Sequence, residues 1–221
     1  MKLHFMTDLS LMKQIAGLKE LSLDGIDDTE LLSAAEKNKI SLEQQWQKYA
    51  AEIEKKLQNI VKSEWQDLDV QIFVFPDNIK IGACNCEEHK ILFGYREEYP
   101  GFGLITICHE IVHMLIYKYR KQQHISRLAD EIFVFLSAEC ELRKKLFGKE
   151  YFVDFFSGPL SPFHQEALAK SRLLVSSWQA YLLDKNISCK GFLEFIEKNI
   201  TTAEKNEYNA VKLKDFIGEH K

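Results

Sequence analysis

Proline and glycine are scarce in this chain, at 4 and 10 of 221 residues. That removes collagen-like and loop-dominated classes and leaves room for long uninterrupted helices. An excess of one charge is also missing. Lysine and arginine number 29 against 33 aspartates and glutamates, a formal net charge of -4, and the two signs are mixed along the chain rather than gathered in blocks. Such a surface offers no broad electrostatic footprint for a nucleic acid. A clean apolar run of membrane length is lacking too. The most apolar stretch, residues 102–119, is interrupted by His109, Glu110 and His113, and a spanning helix there would bury three ionisable groups in lipid. The opening segment MKLHFMTDLSLMKQIAGL is broken by Thr7 and Asp8 and has no clean apolar core before a small-residue cleavage site, so it is a poor secretory signal. Cysteines at 84, 86, 108, 140 and 189 are odd in number and irregular in spacing, which does not suggest a disulfide framework. Free thiols in a cytoplasmic, membrane-free setting are the expectation.

What is present is 46% hydrophobic and 28% charged residues over a length that buries a real core, so a globular, helix-rich α+β protein is expected. Ser41 with Gln44 three residues later reads as a capping box. Leu42, Trp46, Tyr49, Ile53, Leu57, Ile60 and Val61 then recur at steps of three or four, predicting an amphipathic helix over 41–65. DVQIFVF (69–75), KIGACNC and KILFGY predict three short strands, the last two forming a hairpin around Glu87, Glu88 and His89. Residues 104–120 have helical length and are apolar nearly all round, which marks a buried helix. The polar connection KQQHIS leads to a second long helix, from near Ser126 to Gly148, antiparallel to the first. Ser161-Pro162 starts a further helix with Leu168, Leu173, Val175, Trp178 and Leu182 on its core face, and one or two more follow up to Gly218.

His109-Glu110-Ile111-Val112-His113 carries the chemistry. On a helix, positions i and i+4 place both imidazoles on one face a turn apart, as two metal ligands require. Glu110 lies about 100° round the helix, where its carboxylate can reach a metal-bound water as general base. Zinc lowers the pKa of such a water to about 7. Chance produces this pattern in on the order of one chain in a hundred of this length. Here, however, Ile105, Ile107, Ile111, Val112, Leu115 and Ile116 surround the polar groups. Burying a carboxylate and two imidazoles among them costs several kcal/mol unless a metal offsets it.

With these residues the chain resembles the zincin metallopeptidases, most closely the gluzincin branch, in which the third ligand is a glutamate. The resemblance covers residues 41–147: a backing helix, then DVQIFVF, the edge segment Gly82-Ala83-Cys84-Asn85, KILFGY and HEIVH follow in the same order. It implies a zincin-like core with a small mixed sheet and the HExxH helix. The chain as a whole is expected to comprise N-terminal helices (1–66), a catalytic core (67–148) and a C-terminal helical subdomain (149–221), together one compact unit. It also implies that the backbone of Ala83, Cys84 and Asn85 would pair with an extended substrate by strand addition.

Three residues compete for the third ligand. If the helix–helix loop centres near residue 123, the level of His113 lies opposite residue 133 and Glu131 within about one turn of it. Leu128-Ala129-Asp130-Glu131 is also similar to the gluzincin segment that delivers the ligand, except that Ile132 stands where many members have glycine. Glu131 is the choice. Glu139 sits in the apolar stripe Leu128, Ile132, Phe135, Leu142, Leu146 and reads as a buried carboxylate, either ligand or partner of a ligating histidine. His124 would suit a Spartan-like arrangement, although nothing between His113 and His124 ends the helix early. Cys84-x-Cys86 with His89 lacks a fourth ligand and reads as plain thiols. Tyr117, Tyr119, Tyr151 and His164 are all available to stabilise an oxyanion, and the sequence does not choose among them.

The leading expectation is therefore a zinc-dependent peptidase acting on a peptide or protein laid along residues 82–86, with His109, His113 and Glu131 as ligands and Glu110 as base. A Spartan-like DNA-associated protease is the first alternative, disfavoured by the acidic balance. The second is a non-catalytic zincin scaffold whose helical tail binds a partner protein, against which Glu110 speaks.

Overall fold

Period-two alternation builds the sheet. In the computed structural model, which describes residues 1–21, 23, 26–62, 68–94, 101–123, 125–148 and 161–200, four strands form a mixed sheet in the order β1-β2-β4-β3. Strand β2 (Asp69–Val74) buries Val70, Ile72 and Val74 and leaves Asp69 and Gln71 exposed. It runs parallel to β4 (Lys90–Gly94), which pairs antiparallel with β3 (Ile81–Asn85). These are the expected strands and the expected hairpin; Tyr95 lies outside the described residues. The Asn85 side-chain oxygen accepts hydrogen bonds from the Glu87 and Glu88 amides at 3.1 and 3.2 Å, and His89 takes a φ of 52° to close the turn. A strand that is not among the expected elements, β1 (Lys2–Met6), pairs parallel with β2 from Lys2 beside Asp69 to Met6 beside Phe73. With only Leu3, Phe5 and Met6 turned partly inward, its pattern is too short to announce a strand.

The fold is a helix-rich α+β one, and its contacts divide the chain into two units. Unit 1 comprises Met1–Ala51 and Gln66–Met114. In it α1 (Leu9–Leu18) is capped by Asp8, whose carboxylate accepts from the Leu11 amide at 3.0 Å. That helix buries Met12, Ile15 and Ala16 in a cluster with Ala35, Phe75 and Ile79. Helix α2 runs from Asp28 to Val61. The helix predicted for 41–65 is thus longer at its start, and Ser41 is an exposed residue inside it rather than a cap. The true first turn carries Asp28 and Glu30, which suit the positive end of the helix dipole. Leu31, Ala35 and Leu42 extend the buried stripe upstream of the expected one. Helix α3 (Phe102–Gln123) begins where Gly103 meets α2 and β4: a methyl group there would lie 2.8 Å from Leu42 Cδ2 and 3.0 Å from Phe93 Cζ. This close approach sets the first turns of the motif helix against the sheet.

Unit 2 comprises Glu52–Trp65 and Leu115–Lys221. Ser126 caps α4 (Arg127–Val134) by accepting from the Ala129 amide at 3.2 Å. The helix continues as a π-helical stretch, Phe135–Leu142, and then α5 (Arg143–Phe147), ending at Gly148 with a φ of 62°. The start near Ser126 and the stop at Gly148 match the sequence reading, whereas the wider π turns do not show in a pattern of 3.6-residue period. Ser161 caps α6 (Pro162–Leu173), as expected from Ser161-Pro162. A break at Leu174 separates it from α7 (Val175–Leu183). The core face is Ala167, Ser171, Leu174, Trp178 and Tyr181, and Leu173, expected inside, is 42% exposed. Trp178 is buried as expected, whereas Ala167 and Ser171 are small and hold places in the stripe that a pattern of large apolar residues does not mark. Helix α8 (Cys189–Asn199) adds Phe192 and Phe195. Tyr181 stacks on Phe192 at 4.6 Å, and Phe133 meets Trp178 edge-on at 5.6 Å. The expected helices beyond residue 200 lie outside the described residues. Among the described residues no helix is long and apolar enough to cross a membrane.

Candidate metal centre

The helical spacing of His109 and His113 brings their rings to a centroid distance of 5.0 Å at 70° to each other. Both side chains are half-buried, and Glu110 between them is 7% exposed. The apolar residues flanking them on α3 are buried, including Ile105, Ile107, Ile111 and Val112. Strand β3 supplies a neighbour the sequence did not announce. The Cys84 thiol lies against the Glu110 carboxylate and 3.5 Å from the Cys86 sulfur. The Cys86 sulfur, burial and then the Glu110 charge hold Cys84 protonated, far above the ordinary thiol range. None of the five cysteines forms a disulfide.

Glu131 lies on α4, one turn after the Ser126 cap, and is 3% exposed. Its neighbour Asp130 is held by Arg120 Nη1 at 2.9 Å. Two imidazoles and a carboxylate are a donor set that suits zinc, and three protein ligands leave a tetrahedral fourth position open. Glu139, the competing carboxylate, is buried in the π-helical stretch. His124 and Tyr151 lie outside the described residues.

Of the remaining oxyanion candidates, Tyr117 faces the Arg120 guanidinium at 5.0 Å and Tyr119 the Lys118 ammonium at 5.0 Å. His164 on α6 instead brings Nε2 to 3.7 Å from Glu131 Oε1. Ala83 and Asn85 are exposed on β3, which is one of the two end strands of the sheet. Compared with models of protein families, with curated proteins and with solved structures, the chain matches none.

Proposed function

We propose that the chain is a zinc-dependent peptidase with a zincin-like core, in which His109, His113 and Glu131 hold the metal and Glu110 is the general base. The observation that carries this reading is the pair of imidazoles one turn apart on α3, with ring centroids at 5.0 Å, beside a buried glutamate at the motif's second position. When bound, zinc would supply Lewis acidity toward water and a scissile carbonyl. Glu110 would accept the proton of the attacking water and pass it to the leaving amine, a task for a carboxylate held close to both. Its apolar surroundings keep bulk water from competing. The end strand β3 would bind an extended peptide by strand addition along Ala83, Cys84 and Asn85, with main-chain hydrogen bonds that do not depend on the peptide's sequence. The Cys84 thiol beside Glu110 would then bring the scissile bond near the base. A structural zinc site has no use for a carboxylate in the position of Glu110, which favours hydrolysis over a scaffold role.

The test is paired. The purified chain is expected to hold about one zinc, and Glu110→Gln is expected to keep the metal while losing nearly all cleavage of a fluorogenic peptide library. Absence of zinc after refolding with the metal present, or cleavage by Glu110→Gln at the parental rate, overturns the reading.

A further inference from the structure

The contact between α6 and Glu131 has its own organisation, and all of it lies within unit 2. Ser161 Oγ accepts the His164 backbone N–H at 3.3 Å as the cap of α6, and the same oxygen stands 2.6 Å from His164 Nδ1. The hydroxyl can give its own hydrogen to Nδ1 or, through its second lone pair, accept one from it. A neutral imidazole whose Nδ1 accepts must carry its hydrogen on Nε2. Nε2 is the atom 3.7 Å from Glu131 Oε1, an ion-pair contact longer than a hydrogen bond, which a small side-chain movement would close. The ring is further confined by Phe135 and Phe163, with centroids at 6.5 and 5.5 Å, both edge-on. A helix cap therefore fixes the orientation of an imidazole aimed at a buried carboxylate.

We infer that His164 is a positioning residue for Glu131: it holds one carboxylate oxygen so that the other is presented to the metal. This inference rests on the metal reading proposed above. Ligating groups are oriented by such outer partners, whose loss typically weakens metal binding by about 10- to 100-fold.

Zinc affinity is measured on the full chain by competition with a chromophoric chelator, for the parent and for Glu131→Ala, His164→Phe, His164→Gln and the double variant Glu131→Ala/His164→Phe. Metal-free melting curves are recorded beside each titration. His164→Phe is expected to weaken zinc by about 10- to 100-fold and to alter the visible absorption of the cobalt-substituted protein, which reports ligand geometry. His164→Gln keeps a donor near the Nε2 position and is expected to bind nearly as the parent does. In the Glu131→Ala background, His164→Phe is expected to add nothing, because its effect passes through the carboxylate. If Glu131→Ala loses zinc while His164→Phe binds with parental affinity, the positioning role is overturned and the metal reading stands. The same role is overturned if His164→Phe weakens zinc equally with and without Glu131. If the parent binds no zinc, or Glu131→Ala binds it as tightly as the parent, the centre itself is wrongly assigned. Should His164→Phe fail to melt cooperatively, His164→Gln is compared with the shorter His164→Asn: tight binding by the first and weak by the second supports the inference, and equal affinity overturns it.

Discussion

A methyl group on Gly94 would lie 2.1 Å from the Ile79 carbonyl oxygen and 2.8 Å from Phe75 Cβ. Backbone cannot yield as a side-chain tip can, so Gly94→Ala is expected to cost more than Gly103→Ala, whose obstacles are the Leu42 and Phe93 side chains. Overpacking of this kind costs about 1–3 kcal/mol. Urea denaturation of the two variants checks the order, and a larger loss for Gly103→Ala would refute it. At this scale the motif was legible because His109, Glu110 and His113 sit within one turn and a half of one helix, where sequence spacing is spatial spacing. The burial of Glu139 was legible from the apolar stripe around it, and Glu131 is buried as well, but burial identifies a carboxylate without saying what it faces. Neither the approach of Cys84 to Glu110 nor that of His164 to Glu131 has a sequence signature. Each joins segments far apart along the chain, and no periodicity encodes such a distance.

Among the elements, serines at helix starts tell a mixed story. Ser126 and Ser161 each accept an amide of the first turn, but Ser41, with an equally suggestive glutamine after it, is thirteen residues inside α2 by its numbering from Asp28. A capping motif is a local preference worth about 1 kcal/mol, and the buried stripe that continues upstream through Leu31 and Ala35 outweighs it. Ser126→Ala is accordingly expected to destabilise the protein by about 1 kcal/mol, and Ser41→Ala to stay within about 0.5 kcal/mol of the parent. Thermal melts of both, in metal-free buffer, measure the contrast. Equal losses would mean that Ser41 does cap a helix. The π-helical stretch escaped the sequence for a related reason: its residues are buried nearly all round, so a change in turn width leaves no mark on the apolar pattern.

Taken whole, the molecule hides acids that ionise only in base. Burial raises the Cys189 thiol to about 12, and burial likewise raises Cys140 and Tyr181. A raised folded pKa means that the protonated group contributes nothing pH-dependent below the unfolded thiol value near 9. Above it the unfolded chain releases protons that the folded chain retains, so stability is lost with rising pH until the folded pKa is passed. Each such thiol removes about 1.4 kcal/mol per pH unit in that window. Denaturant midpoints measured with reductant at pH 7.5 and 10 should fall between the two, and the fall should be smaller in Cys189→Ala although that variant starts lower. An equal fall in parent and variant would remove Cys189 from the account. The pairing of β1 with β2 has a different kind of consequence. Residues 2–6 find their partner only at residues 69–73, while β3 and β4 meet across a short turn, and long closures slow folding where short ones do not. During synthesis, then, the first five paired residues must wait for roughly seventy to emerge, and for that interval β1 is an unmatched edge whose hydrogen-bonding groups are open to any other extended chain nearby.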